Sequence, residues 1–316
     1  MSETVSGYSF HPGDLKAGQR RSGIGAFMRV RNGADFIERT ILSHIDLFDE
    51  IVAVHNQCTD ATPEILARLQ QAHGEKLRVF RYIDRVFSPG SDGHTATPPD
   101  SPSSMVNYSN FALAMTTTRT VTKLDDDHLA IRDAVGAVAA ELRRTGGAGD
   151  DMLSFSGVNL IRGSDGDLAV PKQDPLSGSG DIGFFDVTED TIFTHDRRFE
   201  EVPRPAGRRR FCGFLYWHLK YLKTGLGFAN YDLEDNPNSR FARRKARLET
   251  DREVLSLAEL RRSAKPNLLM QAAALTGEKK RIALDRARAL VASFPDASLE
   301  AALRRTVAPE FLTGIA

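Results

Sequence analysis

The chain has 316 residues, 41% of them hydrophobic and 27% charged, with 42 basic residues balanced by 42 acidic ones. These values suit one large α/β unit or two small ones, and they exclude a wholly disordered chain. The zero net charge, with no zinc-finger, RNP or helix-turn-helix pattern, argues against a nucleic-acid-binding protein. The charge is unevenly placed: residues 240–316 hold 16 Lys or Arg against 9 Asp or Glu, a local excess of +7 that leaves −7 on residues 1–239.

Two cysteines, Cys58 and Cys212, are too few for a disulfide framework or a structural zinc site, so a reducing compartment is expected. The first residues show no apolar signal core and no window approaches the ~18–20 apolar residues of a membrane span, so a cytoplasmic protein is expected.

Residues 1–22, polar and without periodicity, are read as a loose arm. Ile24–Val30 is then a buried strand, with Asn32-Gly33 marking a turn before a helix over 35–48. A second strand spans Asp49–His55, a polar loop follows, and Pro63 opens the helix over 64–72. Leu77–Tyr82 is a third strand. Residues 87–104 are rich in Pro, Gly, Ser and Thr and form a long loop, read as a lid or as a surface excursion. Tyr108–Met115 is a helix, and the strand Thr120–Leu124 runs into Asp125-Asp126-Asp127-His128. A helix over 132–144 ends at Gly146-Gly147, a strand spans 152–161, and shorter strands fall near 192–194 and 210–216. Residues 240–316 read as helices broken near Pro266 and Pro295. Strands alternating with helices predict a largely parallel sheet covered by helices, with ligands beyond the carboxyl ends of its strands.

Three carboxylates at the end of an apolar strand repel one another unless a cation or basic ligand neutralises them. In an extended segment Asp125 and Asp127 point to one side and Asp126 to the other, so Asp125 and Asp127 are placed to hold Mg²⁺ or Mn²⁺ against diphosphate oxygens. The competing reading is an acidic turn that caps the next helix. Thr59, Asp60 and Thr62 likewise suit either helix capping or contact with a nucleotide.

The segments MRVRNGADFIERTILSHIDLFDEIVAVHNQCTDATPEIL and YSNFALAMTTTRTVTKLDDDH resemble the nucleotide-sugar half of glycosyltransferase family 2 and its GT-A relatives. The resemblance covers roughly Gly23 to Leu129. An Asn after the first strand, a polar loop after the second and a D-x-D motif after a later one match Asn32, Asn56, Asp60, Thr62, Asp125 and Asp127 in order. It implies a Rossmann-like GT-A fold with a helical C-terminal extension: a glycosyltransferase domain over 23–239, split into a nucleotide-sugar half (23–129) and an acceptor half (130–239), followed by helices over 240–316. It further implies a nucleotide-sugar donor contacted by Asn32, His55, Asn56, Asp60, Asp125 and Asp126, and a divalent metal on Asp125 and Asp127. His55 and Cys58 depart from the family's usual acidic residue and Ser.

Family members also bring a histidine from the C-terminal half to the metal and a cation to the leaving diphosphate, which points to His218 and Lys220. His218 has a bland alternative as a packed core residue. For the base that deprotonates the acceptor hydroxyl, Asp181 in LSGSGDIGFF ranks first, with Phe184 and Phe185 lining an apolar pocket; the Glu189-Asp190 pair, with Asp190 matching the family's later E-D motif, and Glu200 are rivals. The segment 204–223 carries Arg204, Arg208, Arg209, Arg210, Lys220 and Lys223 without an acid, suited to a nucleoside diphosphate, a phosphorylated acceptor or anionic lipid. Trp217 is read as a core residue, with stacking on a sugar as the alternative. The C-terminal helices present a solvated face over a packing face, rest on an anionic inner membrane leaflet, or pair two copies of the chain.

The expectation is a metal-dependent, inverting glycosyltransferase that moves a sugar from a nucleotide-sugar donor to a saccharide or lipid-linked acceptor in envelope or exopolysaccharide assembly. The competing classes are a nucleotidyltransferase or metal-dependent phosphohydrolase, and a catalytically degenerate carbohydrate-binding module. The absence of a G-x-G-x-x-G loop argues against a dinucleotide enzyme.

Overall fold

The computed structural model describes residues 3–178, 182–196, 200–201, 203–231, 233–234, 237, 239–250, 253–296 and 298–315. In chain order the first half contains β1 (Glu3–Val5), β2 (Arg21–Val30), α1 (Ile37–His44), β3 (Glu50–Asn56), α2 (Thr62–His73), β4 (Leu77–Tyr82), α3 (Asp92–Ala96), α4 (Met105–Ala114), β5 (Thr118–Lys123), β6 (His128–Ala130) and α5 (Arg132–Thr145). The second half continues with β7 (Met152–Asn159), β8 (Ile161–Arg162), β9 (Leu168–Pro171), β10 (Leu176–Ser177), β11 (Gly183–Asp186), β12 (Thr194–His195), β13 (Glu200–Glu201) and β14 (Arg209–His218). After these come α6 (Arg240–Thr250), β15 (Val254–Leu255), α7 (Leu257–Ser263), α8 (Leu268–Ala274), α9 (Glu278–Ser293), α10 (Leu299–Thr306) and α11 (Pro309–Leu312).

Ten strands form the main sheet, in the order β1-β4-β3-β2-β5-β11-β7-β14-β6 with β10 beside β7. The pairs β1/β4, β4/β3, β3/β2, β2/β5 and β7/β14 are parallel, whereas β11 and β6 run against their neighbours. The predicted α/β class with a largely parallel sheet holds. Its cause is visible in β3, where all seven residues are buried. Ile51 and Ala53 pack into one cluster with Ile37 and Ile41 of α1 and Leu66 and Leu69 of α2, while Val52 and Val54 join Phe111 and Leu113 of α4 in the other. A strand apolar on both faces must be covered on both, and alternating helical segments cover it. Helix α5 ends where the sequence places its end, at Gly146, whose φ of 78° is the left-handed conformation that glycine adopts without a side-chain clash.

Two readings of the sequence are corrected. The arm over residues 1–22 is not loose across residues 3–22: β1 adds a parallel edge strand to β4, Leu15 is buried, and Arg20 donates to the Leu15 and Thr118 carbonyls and to Thr116 Oγ1. A polar segment is ordered here by backbone pairing and one buried guanidinium, neither of which leaves a periodic pattern. The loop over 87–104 holds the short helix α3, capped by Ser91, and is tied down where Tyr82 Oη donates to the Pro102 carbonyl and Ser88 Oγ to the Asn230 carbonyl.

The segment from 240 onward is mostly helical, with breaks between α7 and α8 and between α9 and α10, though β15 pairs with β9 in a three-stranded sheet. These helices share a core with β14: Trp217 is fully buried, 5.0 Å from the Phe294 ring, and its Nε1 donates to Thr306 Oγ1 at 2.9 Å. Trp217 is therefore a core residue and not a sugar-stacking platform. No helix among the described residues is long and apolar enough to cross a membrane.

Candidate active site

The parallel strands all end at one edge of the sheet. From β2 the chain steps outward to β3 and β4, then returns to β5 on the other side of β2, so the direction of winding switches between β2 and β5. Residues at and beyond the ends of these two strands, Arg29, Arg31, Lys123 and Asp125–Asp127, meet there and line a cleft of about 280 Å³ with Asn56, Ser88, Tyr108, His218, Lys220, Lys223, Asn230 and Tyr231.

Strand β5 stops at Lys123 and β6 starts at His128, so the acidic run forms a turn and not an extended segment. The expected alternation consequently fails. Asp126 Oδ1 and Asp127 Oδ2 both lie 2.8 Å from Lys223 Nζ, while Asp125 turns to Lys123 Nζ at 2.6 Å. Burial works to raise all three carboxyls, and the outcome depends on the local cation. Lys123 outweighs it at Asp125, and Lys223 outweighs it at Asp127, holding both below the usual range. At Asp126 burial wins over Lys223 and lifts the carboxyl to about 6. Lys223 is pushed down by its own burial, but Asp127 and Asp126 together hold it above its ordinary value.

The other face of Asp127 carries the signature of a cation site. His218 Nδ1 lies 2.6 Å from Asn159 Oδ1, and Asn159 Nδ2 donates to the Asp174 carbonyl at 2.7 Å and to Asp174 Oδ2 at 3.0 Å. Those donations fix the amide with Oδ1 toward the histidine, so Nδ1 donates to it and Nε2 is turned toward Asp127 Oδ1, at 3.2 Å. His128, which pairs with His218 across β6 and β14, is fully buried; desolvation lowers it to about 3, so it is neutral, and its Nε2 has no hydrogen-bond partner. Asp127 Oδ1 has none either. Ligand atoms of Asp127, His128 and His218 lie within 4.8 Å of one another. Two imidazoles and a carboxylate fit a divalent cation of the Mn²⁺, Fe²⁺ or Zn²⁺ kind, and Mg²⁺ less well.

Of the residues singled out from sequence, Asn56, Asp125, Asp126, Asp127, His218 and Lys220 line the cleft. Asn32, His55 and Asp60 do not, for distinct reasons. Asn32, at φ 52°, uses Oδ1 to accept from the Thr59 amide and Nδ2 to donate to Asn230 Oδ1. Asp60 accepts from the Ala34 and Thr62 amides at 3.0 and 3.1 Å, and Thr62 Oγ1 accepts from Gly33 N, so this pair holds the loop after β2. His55 is 4% exposed within β3, beside Arg81 in register, and burial lowers its pKa. Lys220 reaches the cleft, but its ammonium lies 4.7 Å from the Phe228 and Tyr231 rings and donates to Tyr231 Oη; Lys223 is the cation that engages the carboxylates.

The acceptor-side readings change more. Asp181 lies outside the described residues, as does the side chain of Glu200. Glu189 and Asp190 sit in an exposed turn after β11, which runs against β5 and leaves the sheet beside Arg119 and Thr120, at the edge opposite the cleft. Phe184 and Phe185 are buried in the two cores and line no pocket at the cleft. Arg209 and Arg210, at the start of β14 and hence also at the far edge, pair with Glu278 and Asp151. Sequence reasoning missed His128 and Lys123 as functional groups, although both flank the acidic run directly.

No protein-family model and no curated protein sequence matches the chain. Among solved structures it is similar to glucosyl-3-phosphoglycerate synthase from Mycobacterium tuberculosis in complex with Mn²⁺, UDP and glucosyl-3-phosphoglycerate, at 18% identity and a TM-score of 0.27 over 52% of this chain and 53% of that one. It is also similar to S. aureus TarS 1–349 in complex with UDP, at 14% identity and a TM-score of 0.35 over 86% and 91% of the two chains. The first match spans about half the length of the mycobacterial protein. Likeness this distant assigns no activity, and the functional reading rests on the cleft.

Proposed function

We propose that the protein is a metal-dependent glycosyltransferase of GT-A type, using a nucleotide-sugar donor and a saccharide or lipid-linked acceptor. The observation that carries this reading is the meeting, at the switch point of a parallel sheet, of the Asp127-His128-His218 cluster with five cations, Arg29, Arg31, Lys123, Lys220 and Lys223, against three carboxylates. Five cations minus three carboxylates leaves +2 among these side chains, a charge suited to a diphosphate.

Asp127, His128 and His218 would hold the metal, which when bound neutralises charge that builds on the leaving diphosphate. Asp125 is not assigned as a ligand, because Lys123 takes it. Lys220, Arg29 and Arg31 are positioned on the cleft wall to bind and orient the donor phosphates. Lys223 supplies permanent positive charge beside the reacting centre and keeps Asp126 and Asp127 in place. Asn56 presents its side chain at the end of β3, anchored to the Tyr82 and Asp84 carbonyls, and Tyr108 closes the apolar wall. Asp181 is retained as the acceptor base on the sequence argument alone, and inversion and a role in envelope or exopolysaccharide assembly rest on the family resemblance. Asp190 is not proposed, given its place at the opposite edge.

The test is binding of a panel of nucleoside diphosphates and nucleotide sugars, followed by thermal shift, with Mn²⁺, with Mg²⁺ and with chelator. Stabilisation by one base only when metal is present is expected, together with slow donor hydrolysis that Asp127→Ala abolishes. Absence of nucleotide binding under every condition would refute the proposal in favour of a degenerate module.

A further inference from the structure

Away from the cleft, arginines line a second cavity, of about 820 Å³, between α6, α9 and a wall that includes Gln173, Asp174, Leu176 and Ile182. Arg240, Arg243, Arg244 and Arg247 of α6 project into it at helical spacing, and Arg286 of α9 joins them from the facing wall. Among the described residues Asp174 is the only carboxylate in the lining, so five guanidinium groups minus one carboxylate leaves +4 on those side chains. Asp174 is moreover already engaged by Asn159, Tyr221 and Arg244. Among the described residues Arg243 and Arg247 make no ion pair. Elsewhere on these helices the arginines alternate with acids, as in Arg288–Asp285 of α9 and Arg304–Glu300 of α10. Like charges gathered on one helix face destabilise it unless an anion offsets them.

The cavity adjoins the cleft through two shared walls. Phe241 of α6 lies 4.3 Å from the ring of Tyr231, which lines the cleft. Asp174 holds Asn159, whose Oδ1 fixes His218. We propose that this cavity binds a phosphate ester and that the group belongs to the acceptor, so that the transferase acts on a phosphorylated acceptor. The assignment to the acceptor rests on the glycosyltransferase reading above; the phosphate site itself does not. Planar guanidinium forks match phosphate oxygens two at a time, which explains why arginine fills all five positions and lysine none.

Calorimetric titration of the full chain with inorganic phosphate tests the site, using wild type, Arg243→Ala/Arg247→Ala and, as a cleft control, Lys220→Ala. Both α6 positions are exposed, so the double variant should fold. It is expected to weaken one phosphate-binding event at least about tenfold while Lys220→Ala leaves that event in place. Phosphate affinity unchanged in the double variant would overturn the proposal. Flotation with phosphatidylglycerol and with phosphatidylcholine vesicles separates the sources: capture by phosphatidylglycerol alone, lost in the double variant, supports a lipid phosphate, and phosphate binding without capture supports a soluble phosphorylated acceptor. Metal-dependent nucleotide binding, measured in the same variant, is expected to be unchanged. Its absence in every protein, with the phosphate event still lost in the double variant, would retain the anion site and remove the transferase.

Discussion

Lys223→Met is the substitution from which the cleft predicts most. Its ammonium lies 2.8 Å from both Asp126 and Asp127, and the three side chains are 12%, 14% and 7% exposed. Removing one partner of a buried ion pair strands the other charge, at a cost of about 3–5 kcal/mol. The folded-state pKa of Lys223 is raised, so its stabilisation is complete below the unfolded value, near 10.5, and fully present at neutral pH. In the variant, Asp126 and Asp127 bind protons more readily, so the deficit is largest near pH 7.5 and shrinks toward pH 5. A divalent cation offsets part of it, by an amount that grows as RT ln(1 + [M]/Kd). Urea unfolding followed by the fluorescence of Trp217, the sole tryptophan, gives the measurement, since that ring is buried one residue from His218. In chelator at pH 7.5 the variant is expected to lose about 3 kcal/mol or more, with partial recovery in Mn²⁺. A loss under about 0.5 kcal/mol, the range of an ordinary surface substitution, would refute the buried charge network.

Asn159→Ala removes the acceptor that fixes the His218 tautomer, and Mn²⁺ affinity measured by calorimetry is expected to fall about 10- to 100-fold with the fold retained. Gly33→Ala places a methyl against Asp126 Oδ2 and 3.0 Å from Val30, so Asp126 must move; weaker nucleotide stabilisation in thermal shift is expected. Asp126→Asn tests the raised carboxyl. With a folded value of about 6 above the unfolded one, Asp126 contributes stability below about pH 4 that is lost as pH rises through 6. The variant lacks that loss, so its unfolding free energy relative to wild type should climb between pH 4 and 7, by at most about 3 kcal/mol; a flat difference would show that burial does not control this group.

Much of the frame can be read from sequence because its causes are local. Apolar runs such as IVAVH need two covered faces, and capping and glycine signals bound the helices, as at Gly146. The acidic run was legible as a site because such charge at a strand end demands compensation. Its geometry was not. A turn at 124–127 overrides the strand alternation, and the partners of Asp126 and Asp127 depend on where residues some 90 positions later return. Lys220 and Lys223 look equivalent in sequence, yet only one reaches the carboxylates. His55 and Asp60 show the reverse: residue types suited to a ligand are consumed by burial and by loop hydrogen bonds. Between β7 and β14 the strands are short and antiparallel, so periodicity says little, and the edge of the sheet on which Asp190 falls follows from the reversed direction of β11.

The partnership of Trp217 with Thr306 and Phe294 also governs when the cleft can be completed. During synthesis the strands that carry Arg31, Lys123 and the acidic turn emerge early and can pair at once. The outer wall of β14, the strand that ends in His218, is completed only when residues 294–306 have been made. A growing chain thus displays its acidic turn well before it has a seated histidine. The seating of His218 therefore waits on the C-terminal helices, which makes residues 294–306, distant from the acidic turn in sequence, a condition for completing the cluster.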